Sequence, residues 1–166
     1  RGYLARPELT AESFGHKVPG REGAFLRTGD IGYILDGRLW ISGRLKDVLF
    51  ANGLTIPAAE VETLACEDVP ELNALAAAAF MRNENQSGEA VLLVELVDSR
   101  CPVPSPDEAR TRMRNRILGE WGLTLSEIRF VDRGQLPKTT SGKVRRAHVA
   151  ALFRKGDEAF AGGEQG

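Results

Sequence analysis

The stretch Thr139-Thr140-Ser141-Gly142-Lys143 brings three hydroxyls, a glycine and a lysine together within five residues. Lysine is a compact charge on a flexible stem and suits anions. Hydroxyls and exposed backbone amides beside it suit the oxygens of a phosphate or a carboxylate. The chemistry this points to is the holding of an oxyanion. The stretch is not a phosphate-binding P-loop, which has a glycine five positions before its Gly-Lys pair and follows a strand. Here that position is Pro137. Taken alone, Ser-Gly-Lys is a weak signal, and an ordinary surface turn accounts for it better.

Other reactive side chains are sparse. Cys66 and Cys101 form no CxxC pair and stand near no histidine at metal-ligand spacing, so no metal site is expected. Two such cysteines fit a reducing cytosol better than a disulfide framework. His16 lies in a glycine-rich loop and His148 on the apolar side of the last expected helix; neither is given a role. Arg110, Arg112, Arg114 and Arg116 spiral around one helix opposite its apolar stripe. Such a face is solvated in most proteins. Docking of an acidic partner is the other use for it.

The 166 residues carry a net charge of −1, with 42% hydrophobic and 27% charged residues. That balance describes an ordinary globular chain able to bury a core. It offers no basic field for nucleic acid. No apolar run approaches the roughly 20 residues of a membrane helix. The chain opens on Arg1-Gly2-Tyr3 without a methionine, which suggests a piece of a larger protein.

The elements that must position these residues follow from turn chemistry and periodicity. Asp36-Gly37 between two apolar runs marks one hairpin, and Asn52-Gly53 marks another. Pro7 to Phe14 holds one or two helical turns, and Ala24 to Arg27 reads as a short strand. Pro57 suits the first position of a helix in which Ala58, Val61, Leu64 and Ala65 share a face. Strands are expected at 74–81 and 89–97, joined by the polar loop 82–88, and at 128–131. Ser105-Pro106-Asp107-Glu108 reads as a capping box before a helix with Ala109, Met113, Ile117 and Trp121 inward. A loop at 135–142 leads to a last helix at 144–153 with Val144, Ala147, Ala151 and Leu152 on one side. The tail 156–166 reads as disordered. The sum is a small α+β domain, a three-stranded sheet packed by helices, preceded by a β-rich segment.

Four motifs in order resemble the adenylate-forming (acyl-activating) enzyme superfamily. Gly2-Tyr3 with Arg6-Pro7-Glu8, Thr10 and Phe14 resembles its GY-x-x-RPE-x-T…F segment. Thr28-Gly29-Asp30 resembles its TGD motif. Gly43-Arg44-Leu45-Lys46-Asp47, with Gly53 and Glu60-Val61-Glu62, resembles its hinge and the loop beyond. Pro137-Lys138-Thr139-Thr140-Ser141-Gly142-Lys143 resembles its terminal PKT-x-SGK motif. The match runs over about residues 1–154.

The resemblance implies that residues 1–44 end a large N-terminal adenylating domain and that 45–155 form a mobile C-terminal lid. It implies ATP with Mg2+, held mainly by that large domain, and a carboxylic acid, expected to be a fatty acid. An acyl-adenylate would form first, and its acyl group would then pass to a thiol. By position, Lys143 becomes the catalytic lysine of adenylation, Asp30 and Arg44 bind the nucleotide, Lys46 is the hinge, and Gly53 lies in the loop facing the thiol acceptor. The run Phe50-Ala51-Asn52-Gly53-Leu54-Thr55-Ile56 looks closer to fatty acyl-AMP ligases, and to adenylating domains feeding polyketide or non-ribosomal peptide lines, than to acyl-CoA synthetases. Carrier-protein phosphopantetheine is therefore the expected acceptor, with coenzyme A as the alternative. A non-enzymatic docking or regulatory module is the reading from another class.

Overall fold

The structure, a computed structural model, describes residues 2–83 and 88–156. The chain divides into two compact units, Arg1–Lys46 and Asp47–Gly166.

The first unit is built on a short helix, α1 (Pro7–Ser13), and a two-stranded ribbon, β1 (Asp30–Leu35) with β2 (Arg38–Arg44). Proline opens α1, where its missing N–H is no loss. The ribbon turns at Asp36 (φ 51°) and Gly37 (φ 74°), the paired left-handed conformation that an Asp-Gly hairpin needs. The ladder slips between Ile31 and Gly32, leaving Ser42 as an extra residue whose hydroxyl donates to the Ile31 carbonyl at 3.2 Å. The strand expected at Ala24 to Arg27 is only one bridge, Phe25 with His16. Beyond that pair the Arg27 N–H turns away to the Ser13 carbonyl (2.8 Å), so no ladder continues.

A single 3-10 turn, Leu45–Asp47, leads into the second unit. There β3 (Val48–Ala51) and β4 (Leu54–Pro57) form the Asn52-Gly53 hairpin, with φ of 49° and 76° at its tip. The remaining elements are α2 (Ala58–Cys66), β5 (Leu72–Met81), β6 (Glu89–Leu96), α3 (Pro106–Trp121), β7 (Thr124–Val131) and α4 (Arg146–Arg154). In the three-stranded sheet β6 is central, antiparallel to β5 and parallel to β7. The parallel pair requires a crossover, and α3 is that crossover. The α+β expectation with a three-stranded sheet thus describes this unit.

Both faces of the sheet are covered. Ala90, Leu92 and Val94 face α2 and α3, while Val91 and Leu93 face α4, and all five have no exposure. Two-sided burial explains why β6 reads as a continuous apolar run instead of alternating.

Several local expectations are corrected. Pro57 ends β4 in extended backbone and flanks α2 instead of opening it. Ser105 sits at the N-cap of α3 but its side chain makes no cap bond, so the capping box with Glu108 does not form. Helix α4 starts at Arg146, because Val144 is held in a bridge to Lys138. Its buried residues are Val149 and Ala150, while Ala147, His148 and Ala151 are exposed. Arg146 is drawn inward by Glu62, and Phe153 meets Phe80 edge-on at 5.5 Å, which turns the alanine side outward. The α3 arginines are not merely solvated. Arg110 and Arg114 donate to the Ile128 and Leu125 carbonyls of the edge strand β7 (3.2 and 3.0 Å), and Arg116 pairs with Glu67 and Asp68. Residues 84–87 of the expected hairpin loop, and all of the expected disordered tail but Gly156, lie outside the described residues.

Candidate functional site

The oxyanion-binding candidate is a tight turn on a short ladder. Lys138 and Val144 pair across its base, and the Arg145 N–H donates to the Pro137 carbonyl at 2.9 Å. Within the turn the Thr139 N–H donates to the Lys143 carbonyl (2.8 Å), and the Lys143 N–H donates to Thr139 Oγ1 (3.1 Å). Gly142, at φ 82°, lets the chain reverse and sends its N–H to the Thr139 carbonyl at 2.9 Å. Thr139 Oγ1 and Ser141 Oγ lie 2.9 Å apart. These hydroxyls therefore shape the turn as well as being available to a ligand. The Lys143 side chain is exposed, with no ion-pair partner among the described residues.

Two buried carboxylates hold the feet of this turn. Glu95, on β6, has no exposure. It accepts the Leu136 N–H at 2.9 Å and the Lys138 ammonium at 2.7 Å. Glu62, on α2, accepts both Nε and Nη2 of Arg146 at 2.6 and 2.7 Å, and the Ala79 N–H at 2.9 Å. Burial pushes the Glu62 carboxyl above its ordinary value, against the opposing pull of Arg146. The same pair raises the Arg146 guanidinium. Asp47 stands 4.0 Å from another Arg146 nitrogen.

In the first unit Asp30 and Arg44 face each other across the β1–β2 ladder. Arg44 Nε lies 3.1 Å from Asp30 Oδ1, leaving Asp30 Oδ2 without a partner among the described residues. The Asp30 N–H donates to Thr28 Oγ1 (3.1 Å), and Gly29 at φ 74° aims its carbonyl at the Leu45 N–H (2.8 Å). The Thr28-Gly29-Asp30 motif is thus a turn that presents a carboxylate beside a guanidinium. Both side chains remain open to solvent.

Lys46 is exposed in the connecting 3-10 turn. Gly53 is exposed at the β3–β4 tip. His16 Nε2 meets the Glu12 carbonyl at 2.6 Å, a local contact, and His148 is on the surface. No group of three or more metal-ligating side chains exists among the described residues, and no helix among them is long and apolar enough to cross a membrane.

No family model matches the chain. Individual relatives do. The medium-chain-fatty-acid–[acyl-carrier-protein] ligase JamA of Moorena producens is 29% identical over 156 residues, 93% of this chain and 26% of JamA. The long-chain-fatty-acid–AMP ligase FadD28 of Mycobacterium tuberculosis is 30% identical over 166 residues, again 93% of this chain and 28% of FadD28. The solved structure of McyG A-PCP complexed with phenylalanyl-adenylate superposes on 93% of the chain at a TM-score of 0.72 and 26% identity, using 23% of its own length. The chain belongs to the adenylate-forming superfamily. It matches the C-terminal part and spans about a quarter of the length of these relatives.

Membership of the adenylate-forming superfamily gives the opening motif a physical account. A Cβ on Gly2 would stand 2.2 Å from Thr10 Cγ2, so only glycine fits there. Thr10 Oγ1 accepts the Tyr3 N–H (3.0 Å) and donates to the Arg6 carbonyl (2.8 Å). Tyr3 packs edge-on against Phe14 at 5.5 Å. Gly2, Tyr3, Thr10 and Phe14 therefore form one knot around α1. Sequence reasoning missed Glu95 and Arg146, and it named Glu62 only within Glu60-Val61-Glu62, without a role. The signal for Glu95 was present as a lone acid inside an apolar strand, on the face of Val91 and Leu93. Glu62 sits one residue after buried Val61 on the inward side of α2. Its partner lies 84 residues away, and nothing local names it.

Proposed function

We propose that this chain is the closing part of an ATP-dependent ligase that activates a fatty acid as acyl-AMP and passes the acyl group to a carrier-protein phosphopantetheine thiol. The observation that carries this reading is Lys143: an exposed ammonium with no ion-pair partner among the described residues, on the exit side of a turn whose feet are fixed. The names of JamA and FadD28 support a fatty acid, and the JamA and McyG A-PCP names support a carrier protein.

In the first half-reaction a carboxylate oxygen attacks the α-phosphorus of ATP and pyrophosphate leaves. Negative charge builds on the α-phosphoryl oxygens and the bridging oxygen. A fixed ammonium at Lys143 stabilises that arrangement more than the ground state. Asp30 offers its Oδ2 to the ribose hydroxyls, since a carboxylate only accepts. Arg44, already at Oδ1, holds that carboxylate and turns its remaining donors to the nucleotide. Lys46 absorbs the rotation between half-reactions, and the Gly53 tip then approaches the pantetheine chain. Mg2+ would accompany the ATP phosphates, held mainly by the large domain. Residues 1–44 would complete that large domain and 45–155 would form the lid. Ile34, Leu39 and Ile41 of the first unit's ribbon are 60% or more exposed, an apolar surface that such a domain would cover. A reducing cytosol is the proposed compartment.

ATP–pyrophosphate exchange with medium- and long-chain fatty acids tests this reading, using the chain alone and the chain joined to its large domain. Exchange is expected only in the joined protein. There Lys143→Ala lowers it by orders of magnitude and spares transfer from a supplied acyl-adenylate. Equal loss in both steps would sink the assignment of Lys143. Loading of a holo-carrier protein, compared with coenzyme A, decides the acceptor; coenzyme A as the better acceptor makes the protein an acyl-CoA synthetase. No exchange in the joined protein with any acid favours a docking module.

A further inference from the structure

Glu95 occupies the central strand at a position with no solvent exposure, on the face of Val91 and Leu93. An apolar residue would pack there without desolvating a charge, and buried ion pairs seldom stabilise a fold more than apolar packing does. Stability therefore gives no reason for a carboxylate at this point. Its bonds do. Both of its oxygens are used by the segment entering the Lys143 turn: Oε1 by the Leu136 N–H and Oε2 by the Lys138 ammonium. Glu62 repeats the arrangement on the exit side. It sits on a different element, is 3% exposed, and grips Nε and Nη2 of Arg146, three residues after Lys143, one with each carboxylate oxygen. Between the two grips the Lys138–Val144 bridge closes the base of the turn. Two buried acids thus hold the two segments that flank the turn carrying Lys143, beside Leu136 and Val144, which pack in the core.

We propose that Glu95 and Glu62 are positioning residues for Lys143, a two-point clamp that fixes where its ammonium points. The proposal rests on the reading of Lys143 as the adenylation lysine. A charge-stabilising group works only when preorganised, and a misplacement of about 1 Å costs on the order of 100-fold in rate. The clamp should therefore act on one half-reaction.

The test uses the complete enzyme and the fatty acid that gives the fastest exchange, with four variants: Lys143→Ala, Lys138→Met, Lys138→Arg and Glu62→Gln. Lys138→Met and Glu62→Gln are expected to lower the adenylation kcat on the order of 100-fold. The KM for ATP and thioester transfer from a supplied acyl-adenylate should stay near wild type, and Lys138→Arg should restore most of the rate. Amide hydrogen exchange at Thr139 and Lys143 should speed up in the two impaired variants while Leu92 in the sheet keeps its protection. If Glu62→Gln does not fold, Lys138→Met, altered at the half-exposed end of its pair, carries the test. Equal loss in both half-reactions, or unchanged exchange at Thr139 and Lys143, overturns the clamp while leaving Lys143 in place. An unchanged rate in Lys143→Ala overturns the functional reading, and the catalytic meaning of the clamp goes with it.

Discussion

Replacing Arg146 by methionine should make the stability of this chain depend on pH in a defined direction. The side chain of Glu62 is 4% exposed, and Arg146 supplies two of its three hydrogen bonds. Removing one partner of a buried pair costs about 3–5 kcal/mol when the other stays charged. Glu62 need not stay charged. Burial already pushes its carboxyl above the ordinary 4.5, and Arg146 is the main influence holding it down. Without the guanidinium the carboxyl rises further, while the unfolded chain keeps the ordinary value. Between those two values the folded state binds the extra proton. Stability then falls as pH rises, by at most about 1.4 kcal/mol per pH unit. Below 4.5 the variant should lose only its hydrogen bonds, about 1–3 kcal/mol. Above the raised value it should show the full charged cost. Urea denaturation of wild type and Arg146→Met at pH 5, 6, 7 and 8 measures this. With m near 1–3 kcal/mol per M, the midpoint gap should widen on the order of 1 M or more across the series. Adding Glu62→Gln to Arg146→Met should flatten the slope. A gap that is constant with pH, or that narrows as pH rises, would refute the reasoning.

Other expectations are more local. Burial, with the Glu62 carboxylate near, pushes the Cys66 thiol up to about 12, whereas Cys101 is exposed; a chromogenic disulfide reagent should therefore titrate one thiol quickly and the second only in denaturant. Gly122 ends α3 at φ 65°, and a Cβ there would stand 2.1 Å from Asn52 Nδ2, so Gly122→Ala should cost about 1–3 kcal/mol by urea denaturation. Asp30→Ala removes a solvent-open pair and should change stability by less than about 1 kcal/mol, yet in the complete enzyme it should raise the KM for ATP. A loss of stability well beyond that bound would give Asp30 a structural role instead.

What was legible in the sequence was what neighbouring residues decide. Asp36-Gly37 and Asn52-Gly53 announced their hairpins because the turn itself demands positive φ at both positions. Strands β5 and β6 were legible because burial on two faces makes their runs nearly all apolar, with Glu95 the one acid inside the buried part of β6. Strand β7 was read from Ile128 although it begins at Thr124, since Ser126 and Glu127 interrupt the apolar signal at the sheet edge. The facing of α4 was illegible for a different reason. Its sequence offers two alanines on one side against Val149 and Phe153 on the other, and the choice is made by Glu62 and Phe80, both more than 70 residues away.

The candidate site divides along the same line. Motif order pointed to Lys143, Asp30 and Arg44, and only the Asp30–Arg44 contact could have been argued from register, once both ends of one hairpin were known. The arginines of α3 show how a periodic pattern misleads. They repeat every second residue, yet Arg110 and Arg114 bind backbone carbonyls of β7 while Arg116 reaches the end of α2. An edge strand with open carbonyls invites pairing with another chain, and guanidinium donors on the adjoining helix block it. That use leaves Arg112 as the member of the series to which no hydrogen bond or ion pair is assigned among the described residues. Any carrier-protein docking on α3 must therefore rest mainly on Arg112, because recruiting Arg116 would first have to break its pairing with Glu67 and Asp68.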